Sequence, residues 1–288
     1  MSDKLRNFIV RTLSGAALLC VILGAMWIGY YGFLALLCLV TIGGVWEFYN
    51  LCRAKGYKPQ RGWGMVLSLL IFVVGATIGV SIAYNTPDDI LVVANISAFA
   101  MALLLGLIFF TEVFRNSSTP IVNIATTFAG ACYVAVPMAL MAIIPLMLMH
   151  MLCWRPQCFL FYLFLVWGND VFAYLAGVTM GRHKMCERLS PKKSWEGFVG
   201  GVLGSLAVGV CAAYYLEQSY DVWMGLALIV SLSSVLGDLV ESMFKRDAGV
   251  KDSGNILPGH GGILDRFDAF ILSVPFAFIY LFFMMNNF

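Results

Sequence analysis

Apolar residues recur in blocks from Ile9 to the C-terminus, separated by short polar connections, and no long polar stretch intervenes. A helix needs about 20 apolar residues to cross a hydrocarbon core. The pattern therefore predicts nine transmembrane helices, roughly at 9–29, 31–48, 62–83, 90–111, 121–146, 158–179, 197–216, 221–243 and 263–286. The first two are expected to meet at a Tyr30-Tyr31-Gly32 turn, and the fifth carries Pro137 inside it, where a ring without an N–H disturbs a helix. Lys4 and Arg6 ahead of the first block resemble the start of a signal peptide, but the block is long enough to span and no small-residue cleavage site follows, so it is read as a helix.

Composition removes the soluble alternative. The 288 residues are 61% hydrophobic and 12% charged, about half the charge of an ordinary soluble domain, with a mean hydropathy of +0.87. The expected class is an all-α polytopic membrane protein with a cytoplasmic N-terminus. Eight scattered cysteines form no C-x-x-C pair and no cluster with histidine, and are expected to be small buried hydrophobes. Cys153 and Cys158 could pair only if their loop faced an oxidising compartment.

The net charge of +2 says less than where the charges fall. With the N-terminus inside, 17 of the 18 lysines and arginines lie on the cytoplasmic side and Arg155 alone lies outside, a strong positive-inside bias. Nothing in this pattern suggests a nucleic-acid partner. The chain divides by chemistry into residues 1–160, expected to be a scaffold with dimer or lipid contacts, and residues 161–288, expected to be catalytic.

Ionisable residues inside spans are costly and mark function, and here they concentrate late, at Asp170, Asp238, Glu241, Asp265, Arg266 and Asp268. Asp238, Glu241, Ser242 and Lys245 fall at i, i+3, i+4 and i+7 and share one helix face. Asp265 and Asp268 are three apart on the next helix. Carboxylates converging from two helices suit a hard cation such as Mg2+, and the expected ligands are Asp238, Asp265, Asp268 and Ser242. The loop 245–262 between them is rich in glycine, which lets backbone N–H groups approach a phosphate, and carries Lys245, Arg246 and Lys251. His260, Gly261 and Gly262 open into a helix, where a bound anion meets the positive terminus. A second basic loop, Ser-Pro-Lys-Lys-Ser-Trp-Glu-Gly at 190–197, offers Ser190, Lys192, Lys193 and Ser194.

The run Ser242, Lys245, Arg246, Lys251, Asp252, Gly254, Pro258, His260, Gly261, Gly262, Asp265, Arg266 and Asp268 resembles, at the family's spacing, the signature of the phosphatidate cytidylyltransferases, or CDP-diacylglycerol synthases. Residues 190–197 resemble the family's other loop, with Ser194 where many members have threonine, and the likeness covers about residues 165–270. It implies transfer of CMP from CTP to phosphatidate with release of pyrophosphate. It also implies a homodimer and, beside Mg2+, a second divalent or monovalent cation such as K+. The short N-terminus without a transit peptide points to a bacterial inner membrane, and the one-sided basic charge to a site facing the cytoplasm. On that reading Asp238, Asp265, Lys245, Arg246 and Arg266 are catalytic, and Ser190, Lys192, Lys193, Ser194, Lys251, His260, Gly261 and Gly262 hold substrate. A secondary transporter would instead show related halves and broken helices. A lipid scaffold would need the basic residues but no buried acids. The D-G-x-x-A-R motif of CDP-alcohol phosphotransferases is absent.

Overall fold

The computed structural model describes residues 3–148, 153–256 and 261–286. Eleven helices follow in order: α1 (Asp3–Ile28), α2 (Tyr30–Ala54), α3 (Arg61–Tyr84), α4 (Pro87–Phe114), α5 (Pro120–Gly130), α6 (Val136–Met141), α7 (Ile144–Met147), α8 (Pro156–Met180), α9 (Trp195–Leu216), α10 (Tyr220–Asp247) and α11 (Leu264–Asn286). Among the described residues eight stretches are long and apolar enough to cross a membrane, and Thr12–Ile28 within α1 is a shorter apolar segment. The polytopic helical architecture expected from the sequence is therefore present.

Several local expectations are corrected. The break between α1 and α2 is not at residues 30–32 but at Gly29 alone, with φ of 106°, a backbone state that side chains with a Cβ avoid. The fifth span, Pro120–Met147, is not one helix. It widens into a π-helical turn at Ala131–Ala135 just before Val136–Pro137 and is interrupted again before α7. The proline ring clashes with the carbonyl four residues back, and an extra residue in the turn relieves that clash. Residues 184–194, expected as loop, form an antiparallel hairpin of β1 (Lys184–Cys186) and β2 (Ser190–Ser194). The cysteines are all free, and of those expected to be buried hydrophobes only Cys158 is fully buried, with Cys38, Cys52, Cys153 and Cys186 half-buried and Cys20, Cys132 and Cys211 exposed.

The chain forms two compact units, residues 1–143 with 244–267, and residues 144–243 with 268–288. In the first, Tyr30 and Tyr49 donate their hydroxyls to the carbonyls of Ala142 and Thr127, both at 2.7 Å, so each buried ring keeps a partner. In the second, α8 and α9 pack along a line of small residues. A Cβ at Gly200, Gly201 or Gly204 would come within 2.4–2.6 Å of Ala176, Asn169 or Phe172, the close approach that small residues permit between membrane helices.

Candidate functional site

In the second unit, α10 carries Asp238 and Glu241 one turn apart, and α11 presents Asp268 to them. The close approach of the helices has a local cause. A Cβ on Gly237 would lie 2.5 Å from the Asp268 carbonyl oxygen and 3.0 Å from the Ala269 Cα, so glycine is required where α10 meets α11. Ligand oxygens of Asp238, Glu241 and Asp268 consequently lie within 4.8 Å of one another. Glu241 is buried, while Asp238 is half-exposed. Lys193 Nζ reaches Asp238 Oδ2 at 2.6 Å, and Ser242 Oγ donates to Asp238 Oδ1 at 3.3 Å.

Lys193 is delivered by the hairpin. Ser194 caps α9 by accepting the Gly197 N–H at 3.1 Å, an ordinary N-cap bond. Glu196 holds the far side of the turn: its carboxylate accepts the N–H groups of Arg182 and His183 and lies 2.6 Å from His183 Nδ1. With its base so fixed, β2 places Lys192 and Lys193 on a cavity of about 490 Å³ that is also lined by Asn169, Asp170, Tyr174, Lys184, Phe198, Ser234 and Asp238. Asn169 and Ser234 are each 1% exposed, and among the described residues the amide atoms of Asn169 and the hydroxyl of Ser234 have no hydrogen-bond partner. Buried polar groups left this way are costly unless a ligand or water completes them.

In the first unit, the loop after α10 is organised by two carboxylates. Asp265, in the first turn of α11, pairs with Lys245 at 2.7 Å through Oδ1, and through Oδ2 it accepts the N–H groups of Ser253 (2.9 Å) and Gly262 (2.8 Å). Glu47 of α2 is 1% exposed and accepts the N–H groups of Ile263 and Leu264 at 3.0 and 2.9 Å. Ser253 Oγ lies 3.0 Å from a carboxylate oxygen of each acid, and its single proton serves one of them. A Cβ at Gly254 or Gly262 would fall 2.4 or 2.2 Å from the Glu47 carboxylate, so both positions require glycine.

Of the expected metal ligands, Asp238 and Asp268 are brought together, with Ser242 bonded to Asp238. Both oxygens of Asp265 are taken up by Lys245 and backbone N–H groups, and among the described residues the group able to hold a cation is completed instead by Glu241. Ser190 begins β2, and Ser194 is a helix cap. Gly261, at φ +82°, and Gly262 shape the turn against Asp265 and Glu47. Lys192, Arg246, Lys251 and Arg266 are exposed, and His260 lies outside the described residues. Glu47 was missed by sequence reasoning. A lone glutamate inside the apolar span Tyr30–Ala54 was the available signal.

The family model described as "Cytidylyltransferase family" matches residues 9–284. A phosphatidate cytidylyltransferase of Synechocystis sp. is 35% identical over 277 residues, covering 88% of this chain and 89% of that protein. One of Haemophilus influenzae is 31% identical over 293 residues, covering 96% and 99%. One of Staphylococcus aureus is 52% identical over 126 residues, a stretch spanning 43% of this chain and 48% of that protein.

Proposed function

The chain belongs to the cytidylyltransferase family, and we infer from that premise that it is a phosphatidate cytidylyltransferase, converting CTP and phosphatidate into CDP-diacylglycerol and pyrophosphate at a membrane. A phosphate oxygen of phosphatidate attacks the α-phosphorus of CTP. The α–β phosphoanhydride bond breaks, and pyrophosphate leaves with its electron pair. Because the second pKa of a phosphomonoester is about 6, the nucleophile is already largely a dianion near neutral pH and requires no general base. Positioning and charge neutralisation remain as the protein's task.

The observation that carries this reading is the Asp238, Glu241 and Asp268 cluster beside a lysine-lined cavity. Three carboxylates gathered from two neighbouring helices offer the oxygen ligands that suit a divalent cation. The three ligand atoms lie within 4.8 Å of one another, so one cation between them is within reach of all three. Asp238, Glu241 and Asp268 would hold Mg2+, which when bound supplies charge neutralisation on the phosphates and the leaving group. Lys193, already on Asp238, orients that carboxylate. Lys184 and Lys192 face the same cavity and would bind the triphosphate. Tyr174 and Phe198 provide apolar walls for the remainder of a ligand. Glu47 and Asp265 hold the glycine loop in shape, and Arg246, Lys251 and Arg266 supply countercharge near it. The basic connections belong to the cytoplasmic face of a bacterial inner membrane, where CTP is available.

The test is incorporation of labelled CTP into a lipid-extractable product by the purified full chain, with and without Mg2+ and with phosphatidate as acceptor. Incorporation that requires both is expected. Folded protein that incorporates no label under these conditions rejects the reading.

A further inference from the structure

A second cavity, of about 860 Å³, lies in the first unit where α2, α3 and α4 end or begin. Its wall carries Arg53 from the last turn of α2, Lys58 from the connection, Arg61 from the first turn of α3, and Arg115 from the C-cap of α4. Among the described residues no carboxylate lines it. Arg115 is paired with Glu112 at 2.8 Å, and Arg53, Lys58 and Arg61 repel one another around the concavity, so an anion entering it is stabilised chiefly by those three.

The cavity is built, not incidental. Glu112, 4% exposed behind the wall, is bonded by Gln60 Nε2 (2.7 Å), Asn123 Nδ2 (2.7 Å) and Arg115 Nη1 (2.8 Å). The α2–α3 connection is tied to α5 by the Lys58 N–H on Asn123 Oδ1 and the Gln60 N–H on Thr127 Oγ1, each at 2.8 Å. With its side chain committed to Glu112, Gln60 places no cap on α3. The Arg61 N–H donates to the Pro59 carbonyl at 3.0 Å and the Gly64 N–H to the Gln60 carbonyl at 2.8 Å, and the Gly62 and Trp63 N–H groups between them keep their capacity for an anion. Arg61 is fixed over the Trp46 ring at 4.8 Å and bonded to Asn50, and its Nε is buried with no hydrogen-bond partner among the described residues. A Cβ at Gly62 would meet nothing within 4 Å, so the space above the helix terminus is open.

We propose that this cavity is a phosphoryl-anion site separate from the catalytic cluster. Arginine forks and helix N–H groups match phosphate oxygens, and Trp63 and Val66 beside them form an apolar wall that suits an amphiphile. The phosphate is that of an anionic lipid head group or free phosphate.

The experiment uses the purified full chain in detergent. Binding of phosphatidylglycerol, which is not the acceptor lipid, is followed by native mass spectrometry against phosphatidylcholine of the same acyl chains. A parallel thermal-unfolding series contains inorganic phosphate. Arg53→Gln with Lys58→Gln should raise the apparent Kd for phosphatidylglycerol at least tenfold without changing phosphatidylcholine retention. Gly62→Leu, which fills the cavity and removes no charge, should do the same. The control pair Arg182→Gln with Arg188→Gln removes equal charge from the exposed hairpin and should leave binding within twofold. Selective lipid retention identifies a head-group site, whereas protection by inorganic phosphate without lipid selectivity identifies free phosphate. Equal losses in both charge pairs, unchanged binding in Gly62→Leu, or no response to either probe would overturn the proposal.

Discussion

Two aspartates three residues apart on α11 are separated by their partners. Asp268 joins Asp238 and Glu241, whereas Asp265 is satisfied by Lys245 and two backbone N–H groups. Asp268→Asn should raise the Mg2+ concentration for half-maximal activity tenfold or more and leave thermal unfolding nearly unchanged. Asp265→Asn should instead lower the unfolding temperature, because it removes the ion pair with the half-buried Lys245 ammonium and weakens the acceptor of the Ser253 and Gly262 N–H groups. A titration of activity with Mg2+ beside a melting curve separates the two roles. Glu47 belongs with Asp265: Glu47→Gln turns an amide N–H toward backbone donors and should cost about 1–3 kcal/mol of stability, visible as a lower melting temperature. The carboxylates of α10 and α11 were legible in the sequence because helical spacing put them on shared faces. Glu47 was not, since its partners are more than 200 residues away and no local pattern links them.

At the scale of elements, glycine has opposite consequences in two helices. Ala is preferred to Gly in a helix interior by about 1 kcal/mol, so a glycine with open space around it should yield a stabilised variant when replaced. Gly106 in α4 has nothing within 4 Å of a would-be Cβ, and Gly106→Ala should raise the melting temperature. Gly237 has backbone of α11 at 2.5–3.0 Å. There Gly237→Ala should lower stability by about 1–3 kcal/mol through overpacking and weaken Mg2+ activation by parting Asp268 from Asp238. Thermal melts of the two variants give the sign of each change. Long spans were legible because membrane thickness fixes both length and polarity. The hairpin was not: Ser-Pro-Lys-Lys-Ser has no alternating apolar face, and its shape comes from Glu196 and Ser194 holding the turn against α8 and α9. Nor was the π turn, since Pro137 announces a disturbance and not the form it takes.

At the scale of the whole molecule, crossing parity groups the connections by side whether or not α1 spans. Taking Pro120–Met147 as one crossing, the connections α2–α3, α4–α5, α8–α9 and α10–α11 all fall on one side of the membrane. They carry the basic residues, whereas α7–α8 and α9–α10 fall on the other side with Arg155 and Glu217. Adding or removing one N-terminal crossing moves only the start of the chain. The proposed sidedness therefore rests on 14 basic residues from Arg53 onward, Arg155 aside, against that one, the kind of charge bias that orients spans during insertion. The two ends of α9 provide the measurement, because its 22 residues span about 33 Å at ~1.5 Å per residue. In a cysteine-free background, Glu187→Cys in the hairpin should react with a membrane-impermeant maleimide only in inverted inner-membrane vesicles. Gln218→Cys, beyond the other end of α9, should react from the periplasmic side of intact spheroplasts. The reverse pattern would put the lysine-lined cavity on the side that lacks CTP and would contradict the proposed orientation, while leaving the chemistry of the carboxylate cluster to be judged by its own assay.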